Sequence, residues 1–428
     1  MRIQEIYCPQ TMDKCNYIKH HSGLSIYVCE MNGFSTTEAL FGTKYGSINT
    51  MFKTMGDKEY TTVPEGIAHF LEHKLFENED CDAFAQYAKT GANANAYTSF
   101  DRTCYLFSCS DNYLESLKIL LGFVQDPYFT KETVDKEQGI IGQEIKMTGD
   151  NPAWKVLFNM LEAMYHSHPV KIDIAGTVES IAKIDADLLY KCYNTFYDLH
   201  NMVLVLAGNV KTEDVLAVCD EMLKTKENME LDTVFPEEPY EIVKKEIYGS
   251  LPVGAPIFNI GIKCKPLGGY ERLKANMECY IAGSVISDPS APLYKKLIDA
   301  ELINSTFGFE VFDGDGFFTL IFSGESKDPK QVMTYIIDEI ENVKADGLDK
   351  ELYDSIKKST YGGMIRESNN VEAVASGLIN AYMSDVEPYD HIKVLSEMTY
   401  EDVQRSLIER FDTKNMVLSV IENKGAAQ

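Results

Sequence analysis

A chain of 428 residues, 45% of them hydrophobic, is long enough for about two to four domains with substantial cores. Its formal net charge of −26 repels phosphate backbones and argues against nucleic acid as a partner. No segment approaches the roughly 20 uninterrupted apolar residues of a membrane span, the first residues lack the apolar core of a signal peptide, and ten scattered cysteines include no CxxC pair, so the expectation is a cytoplasmic protein with free thiols.

In chain order, "GLSIYVCEM" and "TEALFGTKYGSINTMF" alternate apolar and polar residues as paired strands do. The run "VPEGIAHFLEHKLFE" then reads as a helix, with Thr61 and Thr62 as caps, Pro64 in the first turn, and Ile67, Phe70, Leu71 and Leu75 as an apolar stripe. Phe76 falls among the polar positions, so this helix should be buried. A second helix around "CDAFAQYAKTG" ends at Gly91, and two strands follow, "NANAYTSF" and "TCYLFSC". Helical periodicity continues from about Tyr113 to Asp126 and from Lys131 to Tyr165.

The stretch "ENMELDTVFPEEPYE" is charged, proline-containing and aperiodic, and marks a linker over 226–245. A repeat supports that division. "DLLYKCYNTFYDLHNMVLVLAG" resembles "DVQRSLIERFDTKNMVLSVIE", each reading as a helix leading into an apolar strand, with Asn201 and Asn415 in equivalent places. The expected fold is therefore α+β with two homologous halves, 1–225 and 246–428, each a mainly antiparallel sheet packed with helices on one face.

The chemistry concentrates in His69-Phe70-Leu71-Glu72-His73. A helix places positions i, i+3 and i+4 on one side, so two imidazoles one turn apart can reach a single metal ion. Glu72 then lies near whatever water fills the open coordination position, and a third protein ligand is needed. Candidates occur in "VDKEQGIIGQEIKM", where Glu137 and Glu144 are nearly two turns apart and face the same way as Val134, Ile141 and Ile145. An unpaired inward carboxylate costs several kcal/mol, which a metal offsets. Along the axis the two acids are roughly 10 Å apart, so one would be a ligand and the other a supporting group or substrate contact. His166 and His168 in "YHSHP" read instead as a helix-ending loop.

His69-x-x-Glu72-His73 followed by Glu137-x6-Glu144 resembles the inverzincins, the pitrilysin- or insulinase-type M16 zinc metallopeptidases. "GANANAYTSFDRTCY", "GTVESIAKIDADLLYKCYNTFY" and "NMVLVLAGNV" resemble further family segments in the expected order, and "GIAHFLEHKLFE" and "DPYFTKETVDKEQGIIGQEI" are similar to bacterial members encoded as catalytic and non-catalytic pairs. The resemblance implies one Zn2+ per chain on His69, His73 and Glu144, Glu72 as general base, Glu137 as the supporting acid, and Asn95 and Ala96 as main-chain contacts for a peptide substrate added as an edge strand. Where family members often carry an arginine and a tyrosine that hold the substrate carbonyl, the matching segment offers Ile298 and Ser305. A homologous subunit lacking HxxEH is thus expected as a heterodimer partner, with a homodimer as the alternative. The implied activity is endopeptidase cleavage of short or unfolded peptides in a two-subunit chamber; the rival is a peptide-binding or precursor-maturation subunit with little hydrolysis. No G-x-S-x-G or Cys–His signature offers a competing nucleophile.

Overall fold

The computed structural model describes residues 2–79, 82–225, 227–228 and 230–423. Its chain forms two compact units, neither contiguous in sequence. Unit 1 comprises Met1–Ile145, Asp173–Phe235 and Met364–Asp390, and unit 2 comprises Lys146–Ile172, Pro236–Gly363 and His391–Gln428.

Unit 1 contains the strands β1 (Ile3–Tyr7), β2 (Lys14–Lys19), β3 (Ser25–Glu30), β4 (Thr37–Thr43), β5 (Met51–Thr54), β6 (Thr61–Thr62), β7 (Asn93–Thr98), β8 (Thr103–Cys109), β9 (Met202–Gly208) and β10 (Leu231–Thr233). Seven form a sheet in the order β1-β2-β3-β9-β4-β8-β7, antiparallel except at β3–β9. The sequence of β9 explains its central place. "MVLVLAG" is buried at every position, the pattern of a strand covered on both faces. Met202, Leu204 and Leu206 join a core with Phe70 and Leu71 of the helix Ile67–Leu75, Leu117, Leu120 and Leu121 of the helix Tyr113–Val124, and Phe196. Val203, Val205 and Ala207 face the other way, against Val371, Ala375, Leu378, Ile379 and Met383 of the helix Val371–Met383. Gly42 permits this approach: a Cβ there would stand 2.7 Å from Met383 Cε and 2.9 Å from Ile379 Cδ1. Helices therefore cover both faces of this sheet, where one covered face is the expectation from the alternating strands before β9.

Unit 2 follows the same plan. Its strands β11 (Glu246–Ser250), β12 (Ile257–Lys263), β13 (Gly308–Gly314), β14 (Phe317–Glu325) and β15 (Met416–Glu422) are ordered β11-β15-β12-β14-β13, with β11–β15 the parallel pair. The helix Pro152–Met164 packs on one face: Ser419 Oγ donates to the Val156 carbonyl at 2.8 Å, and a Cβ on Gly261 would lie 2.5 Å from Met160 Sδ. The helix Gly269–Ser287 covers the other, with Gly283 admitting the Phe309 ring. The repeat is structural as well. Ala186–Phe196, a 3-10 turn and β9 in unit 1 match Tyr400–Arg410, a 3-10 turn and β15 in unit 2. Asn201 and Asn415 each donate a side-chain hydrogen bond to a backbone carbonyl, of Phe196 and Tyr240, both at 2.9 Å.

Three local expectations change. Thr61 and Thr62 form β6, paired with β5, and cap no helix. The helical run from Lys131 divides into Lys131–Gly149 and Pro152–Met164, because Asn151 caps the second helix by accepting from Ala153 and Trp154 N–H, with Pro152 at its first position. The linker 226–245 includes β10, which pairs with β5; residues 226 and 229 lie outside the described residues. Nine described cysteines are buried free thiols, and Cys81 lies outside the described residues. Among the described residues no helix is long and apolar enough to cross a membrane.

Candidate metal centre

The helix Ile67–Leu75 starts at Gly66, whose φ of 87° and close approach to the Ala175 carbonyl (2.3 Å from a built Cβ) suit only glycine. Its apolar residues Ile67, Phe70, Leu71 and Leu75 anchor one side in the core, which turns His69, Glu72 and His73 together to the other. The two imidazole centroids stand 4.6 Å apart. Behind them Lys74 is fully buried and ion-pairs with Glu77.

The helix Lys131–Gly149 brings both acids to this face. Glu144 Oε1 lies 3.6 Å from His69 Nε2, and its Oε2 lies 3.5 Å from His73 Nε2. Glu137 Oε1 is 3.0 Å from His73 Nδ1, a hydrogen bond. The seven-residue spacing thus sets one acid at each nitrogen of His73. Donor atoms of His69, His73 and Glu144 all fall within 4.8 Å of one another, forming a group that could hold a metal ion. With bonds of about 2.0–2.1 Å, neighbouring ligands of a tetrahedral zinc stand about 3.3–3.4 Å apart. The separations of 3.5 and 3.6 Å, each to a different oxygen of Glu144, are close to that edge and longer than a good hydrogen bond.

The two imidazoles differ in their electrostatics. Burial, helped by the adjacent His73, pushes His69 down to about 4, and its Nδ1 has no hydrogen-bond partner among the described residues. The ring is therefore neutral at pH 7, as a ligand must be. Burial also opposes charge on His73, but the Glu137 hydrogen bond and the charges of Glu72 and Glu144 outweigh it and raise its pKa. Glu137 is lowered despite burial by its bond to His73 and by the nearby Lys74 and Lys136. Glu72 is raised, chiefly by burial, although Thr98 and His73 pull the other way. Thr98 Oγ1 donates to Glu72 Oε2 at 2.5 Å, a contact invisible in sequence because β7 supplies it from 26 residues away.

β7 is an edge strand of its sheet, so the Asn95–Ala96 pair sits on an open border of unit 1. Asn95 and Ala96 line a cavity of about 560 Å³ with Glu72, His73 and Glu137. Phe76 and Phe84, stacked at 4.5 Å, form an aromatic wall, and Glu77, Asn78, Glu79, Asp82 and Lys136 complete the lining. Ile298 and Ser305 belong to unit 2, the first on the helix Pro292–Asp299 and the second in the turn before β13. His166 and His168 follow the end of the helix Pro152–Met164 in a loop, as expected: Glu238 accepts backbone N–H bonds from 166–168, and His168 Nε2 meets the Asp315 carbonyl at 3.0 Å.

Residues 55–178 match the family model described as insulinase, peptidase family M16, and residues 183–360 match the peptidase M16 inactive domain. The chain is 38% identical over 427 residues to an uncharacterized zinc protease, YmfH, of Bacillus subtilis (strain 168), covering 99% of this chain and 100% of that protein. An uncharacterized zinc protease of Rickettsia bellii (strain RML369-C) is 30% identical over 184 residues, 42% of this chain and 44% of that one. A crystal structure described as that of an M16-like peptidase from Alicyclobacillus acidocaldarius superposes with a TM-score of 0.92 at 31% identity, covering 97% and 99% of the two chains. A protease from Helicobacter pylori shares the fold at a TM-score of 0.80 and 17% identity, covering 96% and 99%. With its length, its two matched domains and this fold in agreement, the chain belongs to peptidase family M16.

Proposed function

We propose that the chain is a zinc-dependent endopeptidase acting on short or unfolded peptides. The observation that carries this reading is the convergence of His69, His73 and Glu144 on one point, with Glu72 beside them on the same helix face. Those three residues would hold the ion, which when bound supplies Lewis-acid polarisation of a water and of the scissile carbonyl. Glu72 removes the proton from the attacking water and delivers it to the departing amine. Its raised pKa makes the carboxylate a stronger base toward the water. Thr98 fixes the carboxylate's rotation, and Glu137 fixes His73 by engaging Nδ1 and leaving Nε2 facing Glu144.

A peptide lying along the open edge of β7 gains main-chain hydrogen bonds there. Its neighbouring side chain enters the 560 Å³ cavity, where the Phe76–Phe84 wall and the acidic rim favour long basic residues. Since the second half offers Ile298 and Ser305 in place of an arginine and a tyrosine, a homologous second subunit, or another copy of the chain, would complete the grip on substrate in a shared chamber. The buried free thiols accord with a reducing, cytoplasmic setting.

Glu72→Gln tests the reading. The variant should bind zinc and peptide with unchanged affinity and lose peptide cleavage by at least about 100-fold, the scale of general-base catalysis. Unaltered turnover would identify a chain that binds peptide but does not cut it by this route.

A further inference from the structure

A second group of metal-type donors lies in unit 1 apart from the HxxEH helix. β2 ends at Lys19 and the chain turns tightly: Leu24 O accepts the His20 N–H at 2.9 Å, and His20 O accepts the Gly23 N–H at 3.0 Å. Along an extended strand adjacent side chains diverge, but this turn swings His20 and His21 to one side, with ring centroids 4.1 Å apart. Both face Asp220, on the helix Thr212–Met222. Its Oδ1 lies 3.1 Å from His20 Nε2 and 3.6 Å from His21 Nδ1. The three donor atoms all fall within 4.8 Å of one another, as those of the HxxEH group do.

We propose that His20, His21 and Asp220 form a second site for a transition-metal dication. Two imidazoles and one carboxylate suit zinc, nickel or copper and do not suit calcium or magnesium, which take oxygen ligands. The partners are graded in burial. The His20 ring is fully buried and rigid, Asp220 is half exposed, and the His21 side chain is 60% exposed, so the ion arrives from solvent and keeps water in its remaining positions.

The protons balance without an external base. In the metal-free arrangement the Ser22 backbone N–H donates to His20 Nδ1 at 3.2 Å, which puts the ring proton on Nε2, toward Asp220. On binding, that proton transfers to Nδ1, where Ser22 Oγ at 2.8 Å accepts it, and Nε2 turns its lone pair to the ion. The Ser22 N–H gives up its bond, so this site is weaker than the HxxEH group. An ion here ties the β2 turn to a helix 200 residues away and therefore stabilises unit 1.

The test is zinc uptake by the full chain after chelation, measured by calorimetric titration with zinc chloride. The wild type should take two equivalents, one tighter than the other. His21→Ala, at an exposed position that leaves the fold intact, should lose the weaker equivalent and keep the tighter one together with peptide cleavage; Asp220→Asn should do the same. His73→Ala should lose the tighter equivalent and retain the weaker, and in that background zinc should raise the melting temperature only while His21 is present. A single equivalent in the wild type, or two equivalents in His21→Ala, overturns the proposal.

Discussion

Thr98→Val removes one hydroxyl and keeps the side chain's volume, so its effect falls chiefly on the 2.5 Å bond to Glu72, with the longer 3.3 Å contact to Thr103 Oγ1 lost beside it. That bond stabilises the charged carboxylate. A hydrogen bond to a charged group contributes about 1.5–3 kcal/mol, and one pKa unit corresponds to about 1.4 kcal/mol, so losing it should raise the Glu72 pKa by about 1–2 units. Burial already lifts this group, and the substitution adds to the lift. As the base, Glu72 works deprotonated, so the acidic limb of the kcat/KM profile must move to higher pH by the same 1–2 units, while activity on the alkaline side changes little. The assay is a pH series with a quenched-fluorescence peptide and zinc-saturated enzyme, beside a zinc titration showing equal metal occupancy. An acidic limb that stays in place, or moves down, refutes the account of Thr98 and removes Glu72 as the group controlling that limb.

Two further outcomes follow from the same geometry. Glu137→Gln weakens the partner that orients His73 through Nδ1 and should lower zinc affinity by about 10–100-fold, with kcat restored at saturating zinc; competition with a chromogenic chelator measures it. Glu38, on β4, is pushed up to about 7 by burial, with the Glu372 charge adding. Its folded pKa lies above its unfolded one, so the fold favours the protonated acid: there is no penalty below about pH 4.5, and the penalty is complete above about pH 7. Glu38→Gln should accordingly stabilise the protein by up to about 3 kcal/mol at pH 8 and by nearly nothing at pH 4.5, read from urea melts at the two pH values.

Much of the site was legible because helix periodicity is rigid. His69, Glu72 and His73 share a face at any register, and two acids seven apart on another helix must point the same way. Spacing alone left open which acid meets which nitrogen, and only the family resemblance assigned Glu144 as ligand; the packing of Lys131–Gly149 against Ile67–Leu75 brings Glu144 to both Nε2 atoms and leaves Glu137 on Nδ1. The helix start was misplaced at Thr61 and Thr62 because cap preferences favour threonine, whereas a left-handed glycine pressed on the Ala175 carbonyl begins this helix. Thr98 carried no signal at all: hydroxyls at strand ends are common, and its meaning comes from β7 ending beside Glu72. The division at Asn151-Pro152 was readable in principle, as asparagine followed by proline is a strong helix start.

The helix covering the second face of each sheet is the deepest departure, and its sequence signal is β9. A strand with one wet face alternates, and "MVLVLAG" does not, so a second apolar layer was required. In unit 1 that layer is Val371–Met383, from the far half of the chain; in unit 2 it is Pro152–Met164, from the near half. Each precedes its own half's helix, 3-10 turn and central strand, so the exchange is symmetric along the sequence and argues for a duplicated ancestor. It also predicts that a fragment ending in the linker does not fold on its own. Residues 1–225 alone would expose the face of Val203, Val205 and Ala207 and lose the contacts of Val371, Leu378, Ile379 and Met383. At about 1.5–3 kcal/mol for each of those four side chains, the loss is roughly 6–12 kcal/mol, as large as the whole stability of a typical domain. The fragment should show helical far-ultraviolet dichroism, no cooperative melt and strong dye binding, and co-expression with 226–428 should restore both cooperativity and zinc uptake. A sharp, two-state melt of 1–225 by itself would show that the exchanged helix contributes little to this sheet.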